Sequence, residues 1–120
     1  MTLQECYTAM EGNYEDAMGR LRSERLVQKF VLRFLDDGSF ALLEKSMAEK
    51  NYEEAFRAAH TIKGVCQNLS LSLLLNSSSA LSEALRHGYT PEADPLLEQV
   101  RADYQRTTDA IRAFQESVKA

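Results

Sequence analysis

The stretch "NYEEAFRAAHTIKGVCQNLS" (residues 51–70) decides how the chain folds. On a helical wheel at ~100° per residue, Glu53, Arg57, Thr61, Lys63, Gly64, Gln67 and Asn68 fall within roughly 100° of His60. Ala55, Ala58, Ala59, Ile62, Val65, Cys66 and Leu69 fall on the opposite side. This division predicts an amphipathic helix with His60 near the middle of the face turned to water. Asn51 followed by Glu54 supplies its start signal. Gly64 is the anomaly, because glycine inside a helix costs about 1 kcal/mol relative to alanine. It lies one turn beyond His60 on the same face, where missing bulk lets another surface approach the backbone.

Outward from this helix the pattern stays helical. Thr2 with Glu5 predicts a capped short helix that Gly12 closes, and Asn13 caps a second one through Arg20. From Ser23, residues Leu26, Val27, Phe30, Val31, Phe34 and Leu35 form one stripe. "DDGS" (36–39) breaks or kinks it before Phe40, Leu43 and Met47 continue an apolar face. Downstream, Ser70 or Ser72 caps a helix that turns Leu71, Leu74, Leu75, Leu81 and Leu85 inward and stops at Gly88. "YTPEADP" is a loop, and Asp94 then Pro95 reads as a cap with a first-turn proline. The last helix carries Leu96, Leu97, Val100, Tyr104, Thr107, Ile111 and Phe114. The expected fold is all-α: an antiparallel four-helix bundle, up-down-up-down, with short extra N-terminal helices. One domain covers 1–120, with 1–22 capping and 23–118 forming the bundle.

The 120 residues, 44% hydrophobic and 27% charged, suffice for one core without metal or disulfides. A net charge of −4 argues against nucleic acid as the partner. Cys6 and Cys66 show no metal-ligand spacing, so no metal site is expected and a reducing, cytoplasmic setting is the simpler reading. No apolar run approaches ~20 residues, so no membrane association is expected.

A solvated imidazole is largely neutral at cellular pH and keeps a ring-nitrogen lone pair, which makes His60 a competent nucleophile towards phosphorus. Lys63 lies one turn on, within reach of a negative group carried by His60. Gln67 and Arg57 flank the histidine and are candidates for contacting a partner. Phosphoryl transfer depends on positioning and charge stabilisation more than on acid–base machinery.

"HTIKGVCQNLS" resembles the signature of histidine-containing phosphotransfer (HPt) domains: His, any residue, an aliphatic, Lys, Gly, two small residues, two variable positions, then Leu-Gly. The likeness extends through "FVLRFLDDGSFALLEKSMAEKNYEEAFRAAH" and "SSALSEALRHG", about 26–114 in all, with residues 1–20 looser. The resemblance implies that His60 is the phospho-acceptor, Lys63 its electrostatic neighbour and Gly64 the docking clearance. It implies a polar side chain on the following helix that orients the imidazole, with Ser82, Glu83 and Arg86 all candidates. Ser70 stands where the family has glycine, which puts the turn geometry in question.

The activity implied is that of a phosphorelay intermediate. It accepts a phosphoryl group from a response-regulator receiver domain's aspartyl-phosphate, or from the receiver of a hybrid histidine kinase, and passes it to another receiver. No cofactor is expected on this chain; Mg²⁺ belongs to the receiver. No phosphate-binding loop or kinase catalytic set is present in the sequence, so ATP-dependent kinase activity is not expected. A free-standing monomer is expected.

The alternative is a non-catalytic helical adaptor that binds a receiver or kinase, though such a protein has little need of His60. A metal- or nucleophile-dependent enzyme is opposed by a chain with only two histidines. His87 reads as a helix C-terminal cation and Cys66 as a small core residue. The Ser77–Ser79 run reads as part of a helix, and Arg20, Arg22 and Arg25 as a solvated turn.

Overall fold

Side-chain caps start most of the helices in the computed structural model, which describes residues 1–119. Thr2 Oγ1 accepts from the Glu5 N–H at 3.0 Å, and the Glu5 carboxylate accepts from the Thr2 N–H at 2.8 Å. This reciprocal cap opens α1 (Leu3–Ala9). Asn13 caps α2 (Tyr14–Leu21) and Ser23 caps α3 (Glu24–Arg33), each accepting from the N–H three residues on. A 3-10 turn (Phe34–Asp36) ends α3, and the Asp37 carboxylate then accepts from the Ser39 N–H at 2.8 Å to open α4 (Ser39–Ala48). Asn51 starts α5 (Tyr52–Leu69); α6 (Ser72–Leu85) and α7 (Ala93–Lys119) complete an all-helical chain.

The bundle is α4, α5, α6 and α7, with α5 and α6 making the most extensive pairing. Small residues permit that approach: Ala55, Ala58, Ala59 and Cys66 on α5 meet the same core as Ser78 and Ser82 on α6. Leu74, Leu81, Leu85 and Ile62 fill the remaining volume, each stabilising by roughly 1.5–3 kcal/mol on burial. Between α7 and α4 the bundle closes through Phe40 stacked on Tyr104, ring centroids 4.1 Å apart, and through Arg101, which grips both Glu44 oxygens at 2.7 and 2.8 Å.

Helices α1 and α2, with the α1 C-cap Met10, add Leu3, Cys6, Tyr7, Met10 and Ala17 to the same core, and α1 packs along α7. They also hold the α5–α6 turn. The Tyr7 hydroxyl donates to the Leu69 carbonyl at 2.8 Å, and the Asn13 N–H donates to the Ser70 carbonyl at 2.8 Å. Ser70 sits in the left-handed region at φ +56°, where glycine is favoured, and its hydroxyl donates to the Asp16 carboxylate. Those bonds offset the strain of a serine at this position.

The Ser70 hydroxyl first, then Arg20 at 3.0 Å, hold the Asp16 carboxyl below the usual carboxylate range. Because its folded value lies below the unfolded one, the stability it contributes is complete above about pH 4 and is lost as pH falls through the folded value. Asp16→Ala is therefore expected to melt lower than the parent at neutral pH. The gap should narrow as the pH falls below the usual carboxylate range and the folded Asp16 takes up its proton. Thermal scans across that range check this, and a gap independent of pH would contradict it.

Several local expectations are corrected. Leu26 is 39% exposed, because α3 turns only Val27 and Val31 fully inward. Neither Ser70 nor Ser72 caps α6; the cap position is Leu71, which has no side-chain bond to give, while the Ser70 hydroxyl serves Asp16. The helix of the "ADP" segment begins one residue before Asp94, whose carboxylate accepts from the Tyr89 hydroxyl at 2.6 Å. Gly12 is not a left-handed stop, since that conformation falls on Glu11. A Cβ at Gly12 would lie 2.8 Å from the Tyr7 ring and 3.1 Å from the Ser70 carbonyl, so glycine there permits close approach.

Candidate functional site

The hydrophobic demand of the bundle aims His60 outward. Ala59 and Ile62 are buried on α5, and with a rotation of ~100° per residue the side chain at position 60 must leave the core. His60 is exposed, as are Arg57, Thr61, Gly64, Gln67 and Asn68, while Lys63 is half-buried. One face of α5 thus gathers the sequence-selected residues. No described residue hydrogen-bonds the His60 ring, so its nitrogens stay open to an incoming group.

Gly64 leaves that face clear. A Cβ built on it meets nothing within 4 Å, so its lack of a side chain serves no packing inside this chain. Lys63 forms no ion pair among the described residues, and its ammonium is available one turn from the imidazole. Arg57 is committed differently from Lys63: its guanidinium pairs with Glu53 at 3.1 Å and Glu54 at 2.8 Å, on its own helix. The three side chains are exposed enough for a partner to exchange those pairs at little cost.

The candidates for orienting the ring are not gathered around it. Ser82 is only 2% exposed, and its Oγ has no hydrogen-bond partner. Glu83 and Arg86 pair with each other at 3.1 Å. None of the three donates to or accepts from His60, because α6 spends its inward position on packing and its outward ones on an internal ion pair. The side chain that does meet the imidazole is Phe56, whose ring centroid lies 5.8 Å away with planes inclined at 21°. Sequence reading missed it, although an aromatic four residues before a histidine on one helix face is a readable signal.

Farther along α5, Val65, Asn68 and Leu69 form a recess of about 210 Å³ with Phe30, Phe34 and Arg33. The remaining reactive groups are inert. Cys6 is buried and its thiol is pushed up to about 11 by burial, and the deeper Cys66 is pushed up further, again chiefly by burial. Ser77 and Ser78 are buried, with hydroxyls donating back to the Leu74 carbonyl, so the serine run belongs to the helix interior. Among the described residues no group of three or more His, Cys, Asp or Glu is arranged to hold a metal ion, and no helix is long and apolar enough to cross a membrane.

The family model of the Hpt domain matches residues 25–110. No curated protein and no solved structure is matched.

Proposed function

This chain belongs to the histidine-containing phosphotransfer (Hpt) domain family, whose role is phosphotransfer in phosphorelay signalling, and on that premise we propose that His60 is the residue that carries the phosphoryl group. The observation that supports it is an exposed imidazole at the centre of the α5 polar face, with open nitrogens and nothing filling the space at Gly64. A ring-nitrogen lone pair forms an N–P bond while the P–O bond of a receiver's aspartyl-phosphate breaks. The bonding electron pair leaves with the aspartate carboxylate, and the second ring nitrogen keeps its proton. Attack by another receiver's aspartate on the same phosphorus reverses these events and frees the imidazole.

Family members interact with receiver domains and histidine kinases. For this chain the donor and acceptor are receiver domains, with the receiver of a hybrid kinase as one source. Mg²⁺ would be supplied by the receiver's acidic pocket. The protein acts as a monomeric carrier in the cytoplasm, without ATP-dependent kinase activity; two unpaired thiols are compatible with that compartment. Gly64 gives the receiver its approach to the helix, and Gln67 and Arg57 border the contact.

The test is a panel of receivers charged with acetyl phosphate, each mixed with this chain. The expected result is rapid appearance of an alkali-stable, acid-labile label on the chain with loss of label from at least one receiver. Receivers that bind yet transfer nothing would establish the adaptor reading instead. Lys63→Ala is expected to slow the transfer by about 5-fold or less, since a single half-buried surface charge contributes around 1 kcal/mol. Stopped-flow transfer rates check this, and complete loss would mean that Lys63 has a larger role than charge support.

A further inference from the structure

Nothing polar orients the His60 imidazole, yet a transfer reaction is sensitive to small errors in the position of its nucleophile. The contact available is the Phe56 ring, one turn earlier on α5 and close to parallel with the imidazole. Phe56 is itself fixed. It is half-buried, packs against the core, and lines a groove of about 210 Å³ with Tyr52, Glu53, Leu85, Arg86 and Gly88. The Arg86 guanidinium carbon lies 5.7 Å from the Phe56 centroid, and its Nε is held by Glu83 at 3.1 Å. A chain of contacts therefore runs from α6 through Phe56 to the imidazole.

We infer that Phe56 is the positioning residue of the phospho-acceptor, restricting the His60 ring by stacking where a hydrogen bond would otherwise do so. This inference rests on the proposal that His60 takes the phosphoryl group. Stacking suits that task because it uses the face of the imidazole. The nucleophilic lone pair of one nitrogen and the N–H bond of the other both lie in the ring plane, so stacking on the face consumes neither. As the N–P bond forms, positive charge moves onto the imidazole, and the negative face of a neighbouring benzene ring favours a cation beside it. Arg86 acts one step farther out, as the support that keeps Phe56 in register, and this accounts for an arginine at the C-cap of α6 that lies near the site and does not touch His60.

The experiment compares the parent, Phe56→Leu and Phe56→Tyr, using two readouts. The first is the NMR shift of the His60 ring protons in the unphosphorylated chain. The second is single-turnover transfer from a charged receiver, resolved into the rate at saturating receiver and the half-saturating concentration. Phe56→Leu is expected to move the His60 ring-proton signals towards those of an unstacked imidazole. It should also lower the saturating rate by about 5-fold, the scale of an aromatic pair, with the half-saturating concentration unchanged. Phe56→Tyr keeps the ring and is expected to restore both readouts.

Unmoved His60 signals in Phe56→Leu would overturn the inference, as would moved signals with an unchanged saturating rate. A change confined to the half-saturating concentration would overturn it too, making Phe56 part of the docking surface. A parent chain that takes no label at all would remove the phosphotransfer proposal itself. The parent's own ring-proton shifts would still report whether the stack exists, so the two failures are distinguishable.

Discussion

A His60→Gln chain is expected to accept no phosphoryl label from any charged receiver, while folding as the parent does. Glutamine keeps length and polarity but has no nucleophilic nitrogen, since its amide lone pair is delocalised into the carbonyl. The loss should be complete, because no other described side chain on this face offers an aromatic ring nitrogen; His87, the second histidine, lies just past the end of α6. Stability should change by no more than about 0.5 kcal/mol, as is usual for exposed positions outside caps and cores. Labelling and thermal melting measured on the same preparation separate these effects. Residual label at the parent's level would move the acceptor elsewhere, and a large loss of melting temperature would mean that the imidazole supports the fold.

Gly64→Gln is expected to give the opposite combination, a steadier fold and a weaker encounter. Beyond its own turn of helix, a Cβ at position 64 meets nothing within 4 Å, so a side chain can start there without a clash. Removing an interior glycine from the 18-residue α5 should add about 0.5–1 kcal/mol of stability. That corresponds to a melting temperature higher by roughly 2–5 °C. The same side chain would stand beside His60, where a receiver must come close enough for a bond to form to nitrogen. Transfer should fall at least about 10-fold, since a misplacement of ~1 Å can cost that much or more. The variant should also need more receiver for half-saturation than the parent does. Transfer kinetics equal to the parent's would leave the glycine without a functional explanation.

The helices themselves were legible because each depends on local rules. The Thr2–Glu5 box, the Asn13, Ser23 and Asn51 caps and the alanine-rich inner face of residues 55–59 are visible in a linear reading. What escaped depended on partners distant in sequence. Ser70 looked like a helix cap because Asp16, 54 residues away, cannot be seen from it. Gly12 looked like a stop because neither the Tyr7 ring nor the Ser70 carbonyl is apparent beside it. Leu26 looked buried because helical spacing gives a stripe without saying how wide the covering surface is.

At the site, the exposure of His60 and the open flank at Gly64 followed from the wheel alone. The surroundings of the imidazole did not. Polar residues on α6 were natural candidates, yet Glu83 and Arg86 satisfy each other and Ser82 packs inside. Phe56 was within reach of a local reading, being one turn from His60, but an aromatic side chain is more often assigned to a core than to a solvent-facing ring.

Intact-mass and peptide mapping of the chain after brief exposure to a charged receiver, kept at alkaline pH throughout, tests the central claim most directly. The predicted result is one added phosphoryl group on the peptide spanning residues 58–63, lost on brief acid treatment and returned to an unphosphorylated receiver when one is supplied. A stable phosphoryl group on any serine or threonine, or an unmodified His60 in a chain that carries label, would contradict it.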